Sequence, residues 1–491
     1  MIWALLLIPF TAALLSLLIR IDKLRRAILI IAAICHAAIM ATSWIHTPAP
    51  ILNGWFAIDP VAQLFMSITD VLFLMASLYA IGYLNAEQHS ENQRKDFEEG
   101  LFFANAPETI FTGCLLMFLT TMTMVITSQN FGMLWVAMEA TTLVTAPLIY
   151  FHRHHRSLEA TWKYLLICSV GIAVSLLGNF FLAIAASAHN GVSIPLMRTD
   201  LIAHASQLWE PWVKAAFIFF LVGYGTKMGL APLHTWLPDA HSEAPSLVSA
   251  LLSGALLNCA FVGILRAFEV TAAAGHIAFA QDLLVFFGLV SMTFAALFII
   301  GQADYKRMLA YSSVEHIGIL ALGVGLGSAA VFGSMLHAVN HSFTKAALFL
   351  IAGNILAAYK TKTAGDVRGV LSAIPASGLL WAAGILAITG FPPFGIFLSE
   401  FIILKASIDQ GRYTVAVAYL ALLAIIFIGI SAIALRMTQG RNAKPVSIDA
   451  ERTLSIVPPA ILLFGTLILG IYVPPQLSSL LHNIANLLGG Y

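Results

Sequence analysis

Glu139 and Lys227 are ionisable residues in stretches of sequence that are otherwise largely apolar. Glu139 follows Trp135, Val136, Ala137 and Met138, and Lys227 lies among Gly223, Gly225 and Gly229. An ionised side chain in hydrocarbon is costly, and by default it marks a functional site with an opposite charge as its partner. Glu139 and Lys227 are therefore expected to neutralise each other. The competing account is a static buried salt bridge, which is weak evidence even for stability. His337, His341 and Lys345 recur at four-residue steps, which puts them in one column on a helix face. Imidazole titrates near neutral pH, so the column suits proton transfer. Haem ligation is the other chemistry open to paired histidines, but two ligands to one iron come from opposite sides of it, and these share a face. Glu315 with His316, and Glu400 with Lys405, add ionisable groups to the same half of the chain. Asp70 is also enclosed by apolar residues, and for it a hydrogen bond to a neighbouring helix and ion transfer are both open.

Only membrane-spanning helices can position such groups. Of the 491 residues 59% are hydrophobic and 10% charged, with a mean hydropathy of +0.89, whereas a soluble globular chain carries roughly 25% charge. Apolar runs long enough to cross a hydrocarbon core about 30 Å thick predict an all-α integral membrane protein of about fourteen helices. They lie near residues 2–19, 27–45, 58–84, 109–127, 130–150, 158–186, 212–230, 246–268, 281–302, 308–326, 329–358, 371–410 (interrupted), 413–435 and 453–474. The longest polar connections, 85–108 and 187–211, are too short to fold as domains holding a nucleotide or a cluster. The first positive charges, Arg20 to Arg26, come after the first apolar segment, so that segment is expected to stay as a helix and not to be cleaved as a signal peptide. Cys35, Cys114, Cys168 and Cys259 are isolated and read as packing residues, with no disulfide framework. The run His152, Arg153, His154, His155, Arg156 reads as a solvated loop and not a metal site. No metal, cofactor or nucleic acid is expected on this chain.

Lys and Arg orient the helices. Connections after predicted helices 1, 3, 5, 9, 11 and 13 hold 17 of the 25 Lys and Arg, among them Arg94, Lys95, Arg153, Lys306, Lys362 and Arg441. The opposite side holds Arg198, Lys214, Arg266 and Arg412, and Lys163, Lys227, Lys345 and Lys405 are left in or near the membrane. By the positive-inside rule both termini face away from the cytoplasm. Predicted helices 4 to 8 (109–268) and 9 to 13 (281–435) form two blocks of five, and because five is odd the second block runs in the opposite sense. They are flanked by residues 1–108 and 436–491. The fourth helix of each block is interrupted, by Gly223, Gly225, Gly229 and Pro232 in the first and by Gly390, Pro392, Pro393 and Gly395 in the second. Paired interruptions point to an ion path, since freed backbone groups are tolerated where they line a cavity; alternatively the glycines merely let helices pack closely.

Four motifs carry a family resemblance: KMGLAPLHTWLPDAHSEAPSLVSALLSGALL from Lys227, KRMLAYSSVEHIG from Lys306, HAVNHSFTKAALFLIAGNI from His337 and GFPPFGIFLSEF from Gly390. Over residues 58 to 435 the chain resembles the antiporter-like subunits of complex I and of multi-subunit cation/proton antiporters. Within that family YSSVEH, HSFTK and LLNC (Leu256 to Cys259) look most like component F of hydrogenase-4 and formate hydrogenlyase-type complexes. The resemblance implies a proton path in which Glu139 is the helix-5 glutamate, Lys227 the helix-7 lysine that receives the proton, Lys345 the lysine of the second half-channel and Glu400 the helix-12 residue near the exit. His241, Glu315, His337, His341 and Lys405 are counted with that path. Asn258, in GALLNCA, stands where the family carries a second lysine, which puts a lysine-to-lysine relay in doubt. The chain ends soon after the last predicted helix, so the long lateral helix of the largest relatives is not expected.

The reading is a proton-translocating inner-membrane subunit of a complex I-like redox complex, of the hydrogenase or NADH-quinone oxidoreductase type. It would carry no electrons itself and would work beside hydrophilic and membrane partner subunits. A partner's redox reaction would shift charge along the membrane and loosen the Glu139 and Lys227 pair, and separating a carboxylate from an ammonium removes what favours its charged form. The alternatives are a cation/proton antiporter subunit exchanging Na⁺ or K⁺, a membrane subunit of an inorganic-carbon uptake system, and a structural anchor with a vestigial channel.

Overall fold

The computed structural model describes residues 1–87, 105–187, 194–440 and 451–489, with the backbone of 88–91, 97–98 and 101–102. Of the predicted loop cations, Arg94, Lys95, Arg441 and Lys444 lie outside these residues. Helices α1 (Ile2–Leu18), α2 (Asp22–Thr42) and α3 (Pro60–Glu91) precede the first block. That block comprises α4 (Glu108–Thr127), α5 (Phe131–Ile149), α6 (His155–Ala186), the short α7 (Arg198–Ala203), α8 (Glu210–Met228), α9 (Trp236–Glu243), α10 (Ser246–Leu251) and α11 (Leu257–Ala273). The second block comprises α12 (Ile277–Ile299), α13 (Tyr305–Leu326), α14 (Ala329–Tyr359), the short α15 (Val370–Ala373), α16 (Pro375–Ile388), α17 (Gly395–Asp409) and α18 (Tyr413–Thr438), and α19 (Thr453–Ile471) and α20 (Pro475–Gly489) close the chain. Among the described residues the only strand pairing is a two-residue one, Phe97–Glu98 with Leu101–Phe102.

Eleven described helices are long and apolar enough to cross a membrane. Counting α1 and the two broken segments, α8 with α9 and α16 with α17, the described residues offer fourteen segments for crossing, in line with the apolar runs. The continuous run α10 to α11 and α13 beyond Arg307 are enclosed by other helices, whereas α6, α12 and α18 turn Leu166, Phe180, Leu297 and Val417 outward. The enclosed helices carry the polar groups. α20 lies beyond the last predicted helix: Leu480, Leu481, Ile484 and Leu488 bury one of its faces, which packs on α14.

The first break has a local cause. α8 ends at Gly229, whose φ of +91° is a left-handed cap that a glycine adopts without a Cβ penalty. Its amide and that of Leu230 both return to the Gly225 carbonyl, at 2.9 and 2.8 Å. Groups freed by the break find partners on other elements: Trp236 Nε1 donates to the Thr226 carbonyl at 2.8 Å, and the Ala231 amide donates to Ser291 Oγ of α12 at 2.9 Å. Gly223 plays the other part foreseen for these glycines, because a Cβ there would meet the Gly171 carbonyl of α6 at 2.6 Å. Hence Gly229 and Pro232 break the helix while Gly223 packs it.

Candidate functional site

Lys227 occupies the last turn of α8 and is fully enclosed. Its Nζ donates to Thr142 Oγ1 of α5 at 2.8 Å and to Tyr164 OH of α6 at 2.6 Å, and it lies 4.6 Å from the centroid of the Tyr164 ring. Tyr164 is held in turn by Thr145, 2.6 Å away and one turn beyond Thr142. The expected contact with Glu139 is not formed. Glu139 accepts from Ser169 Oγ at 2.8 Å and stays within electrostatic range of Lys227 without an ion pair. Its second carboxylate oxygen has no hydrogen-bond partner. Glu139 and Thr142 stand three residues apart and so share a face of α5, which lets a neutral hydroxyl take the place predicted for the carboxylate.

Asn258 is tied across to the second half. Its Nδ2 donates to Ser342 Oγ of α14 at 2.8 Å and to the Gly254 carbonyl at 2.8 Å, while Oδ1 has no partner. Residues Leu252 to Leu256 form a π-turn between α10 and α11, and such single wide turns are frequent at functional sites. A Cβ on Gly254 would meet the Ser342 carbonyl at 3.0 Å.

Ser342 follows His341 in the chain, and on that helix, α14, a second enclosed group of polar side chains is held. His341 and His337 stack on α14 with ring centroids 6.3 Å apart. His316 of α13 contacts both, at 4.9 and 5.0 Å between centroids, and His316 Nδ1 lies 2.9 Å from His337 Nε2. His337 Nδ1 in turn lies 2.9 Å from Ser399 Oγ of α17. Lys345 Nζ donates to the Leu309 carbonyl of α13 at 2.7 Å. Glu315 lies 4.0 Å from His316 Nε2 and accepts from Ser312 at 3.3 Å. Glu400, in α17, is 8% exposed and abuts Gly390, where a Cβ would run into its carboxylate. His241 of α9 is fully enclosed, its ring stacked on Phe349 with centroids 4.9 Å apart. Hydrogen can pass directly between His316 and His337, and Ser399 orients the second ring. One ligand atom each from His316, His337 and Glu400 also lie within 4.8 Å of one another, so this group could hold a metal ion, which the sequence reading did not assign.

Lys405 is a correction. It sits past the break in α17 but its side chain is 65% exposed and pairs with Asp409 at 2.7 Å, away from the enclosed groups. Lys163 also lies outside, 46% exposed and bridged to Glu159 and Asp239. Asp70, without a role in the sequence, pairs with His36 at 2.6 Å, and His36 reaches Thr123 at 3.2 Å. His154 caps α6 through Ser157 and faces Glu243 at 3.6 Å. Tyr164, Thr142, Ser399 and Ser342 were missed because a buried hydroxyl on a helix reads like any other packing residue. His316 stood in the sequence only as one more ionisable group of the second half, and its contact with His337 depends on how α13 and α14 cross.

Residues 128–427 match the family model described as "NADH:quinone oxidoreductase/Mrp antiporter, TM". The chain is 35% identical over 430 residues to a hydrogenase-4 component F homolog of Methylacidiphilum infernorum (isolate V4), covering 86% of this chain and 87% of that one. It is 28% identical over 453 residues to NADH-quinone oxidoreductase subunit N of Desulforudis audaxviator (strain MP104C), covering 88% and 86%. A chain in the structure of the Mrp complex from Dietzia sp. DQ12-45-1b superposes with a TM-score of 0.83 at 18% identity, covering 100% and 97%.

Proposed function

The chain belongs to the NADH:quinone oxidoreductase/Mrp antiporter membrane family, and from that premise we propose that it moves protons as a subunit of a complex I-like redox assembly, of the kind that includes hydrogenase-4. It is a multi-pass membrane protein, and its relatives are subunits of multi-subunit membrane complexes. Partner subunits supply the redox chemistry. The observation that carries the reading is that both halves enclose polar groups: Lys227 with Thr142 and Tyr164, the Asn258 to Ser342 bond between the halves, and the group of His316, His337, His341 and Glu400.

In this reading residues 109–268 and 281–435 are two half-channels. Glu139 alternates between Ser169 and Lys227, and its approach or withdrawal sets when Lys227 holds a proton. Lys345, with Glu315 close to it, is the corresponding group of the second half. Both termini lie on the non-cytoplasmic side. The test is proton uptake in vesicles carrying the intact complex with its electron donor. Lys227→Ala should stop pumping while the partner's electron transfer and the assembly at least partly survive. Normal pumping by assembled Lys227→Ala would leave the structural anchor as the account of this chain. Na⁺ or K⁺ exchange without an electron donor would instead favour a cation/proton antiporter.

A further inference from the structure

A third lysine lies with the enclosed ones. Lys306 reads from sequence as one more cytoplasmic loop cation, yet it is 1% exposed. Asp304 caps α13 by accepting from the amides of Lys306 and Arg307 at 2.7 and 3.1 Å, and that start places Lys306 in the first turn. Its Nζ donates to the Ala244 carbonyl at 2.7 Å, at the end of α9.

Two helices return from that contact to the same place. One turn before Ala244 on α9 stands His241, and neither of its ring nitrogens has a hydrogen-bond partner. His241 stacks on Phe349, which follows Lys345 by one turn of α14. One turn after Lys306 on α13 stands Leu309, whose carbonyl holds Lys345 Nζ. His241 is thus within electrostatic range of both Lys306 and Lys345. On its other side Lys306 is in range of Lys362, Asp304 and Glu243. That outer group is partly open: Lys362 is 25% exposed and pairs with Glu243 at 2.7 Å, Glu243 faces His154 at 3.6 Å, and Ser242 donates to Asp304 at 2.6 Å.

We propose that Lys306 is a proton-loading site that feeds the second half-channel from the predicted cytoplasmic side. A proton passes from the Glu243, Lys362 and His154 group to the neutral Lys306 amine, then from the ammonium to a free nitrogen of His241, and from His241 to the Lys345 amine. On giving up the proton Lys306 and His241 each return to the neutral form, and the outer group is reprotonated from the aqueous side to which it is partly open. An imidazole with both nitrogens unengaged can accept on one and release from the other. The inference rests on the proton-path reading of Lys345. The competing role for Lys306 is a fixed cation capping the carbonyl end of α9, where a helix dipole favours positive charge.

Arginine separates the two, because it keeps the charge and the donor but does not give up its proton. In vesicles holding the intact complex and driven by its electron donor, Lys306→Arg and Lys306→Gln should both lower proton uptake by about 100-fold, the scale of a lost proton-transfer group, with electron transfer retained. Wild-type uptake by Lys306→Arg would make Lys306 a cap and overturn the proposal. Should neither variant assemble, His241→Phe decides: it keeps the ring on Phe349 and loses no hydrogen bond, so uptake should fall with assembly intact, and unchanged uptake overturns the route. A wild-type complex that moves no protons would defeat the proton-path reading itself, a different outcome from a pumping Lys306→Arg.

Discussion

Asn258 donates through Nδ2 to Ser342 Oγ at 2.8 Å, and this bond joins the helix after the first break to the helix that carries His341 and Lys345. A neutral amide therefore spans the place where the family resemblance leads one to expect a lysine. With Oδ1 unpartnered, Asn258 can accept a hydrogen bond while it donates to Ser342, so it can relay without carrying charge.

Asn258→Ala should accordingly cost far less pumping than Lys227→Ala, which is expected to lower proton uptake by about 100-fold. Asn258→Lys should be tolerated. Ser342→Ala should match Asn258→Ala, since each removes one end of the same bond. Proton uptake in vesicles, normalised to electron transfer, compares the four, and equal losses in Asn258→Ala and Lys227→Ala would show that the amide is indispensable.

Lys405→Ala should pump as wild type, because the side chain is exposed and pairs with Asp409 within its own helix, and such pairs contribute only about 0.3–0.5 kcal/mol. Lys345→Ala in the same assay should stop proton uptake. A Lys405→Ala defect with normal assembly would put that residue back on the path.

Asp59 lies in the segment before α3 and binds the guanidinium of fully enclosed Arg266, with Arg198 at 3.2 Å. Burial pushes its carboxyl up, but the Arg266 and Arg198 charges more than offset that and hold it at about 2. Because the folded-state value is depressed, the stabilisation is complete above the ordinary aspartate value of roughly 4 and is lost as pH falls toward about 2. Asp59→Ala removes the ion-pair partner of enclosed Arg266, at a cost of roughly 3–5 kcal/mol. The thermal midpoint of the detergent-solubilised complex should be lower in the variant at pH 7, with the gap to wild type closing below pH 4. A gap independent of pH would mean that packing, and not the ion pair, is what Asp59 supplies.

Reporters fused after Arg26, at Arg153 to Arg156 and after Lys362 should report cytoplasm, and fusions near Arg441 and after Tyr491 test the segments beyond the described residues, the first expected cytoplasmic and the second not. Two or more reversed sites would sink the orientation drawn from Lys and Arg.

Much of this architecture is written in local chemistry. Apolar runs of bilayer length, and Gly229 followed by Pro232, each act within a few residues, so spans and a break were legible from the sequence. So was the column of His337, His341 and Lys345, because four-residue spacing on a helix needs no other element. What the sequence could not hold was which groups face each other across helices. It placed Glu139 against Lys227 by charge alone, whereas the packing of α5 and α6 around α8 presents Thr142 and Tyr164. It placed Lys405 on the path and Lys306 in a loop, whereas the rotation of α17 turns the first outward and the seating of α9 on α13 encloses the second. Charge tells a residue that it needs a partner, but the crossing of helices far apart in the chain decides which partner it meets.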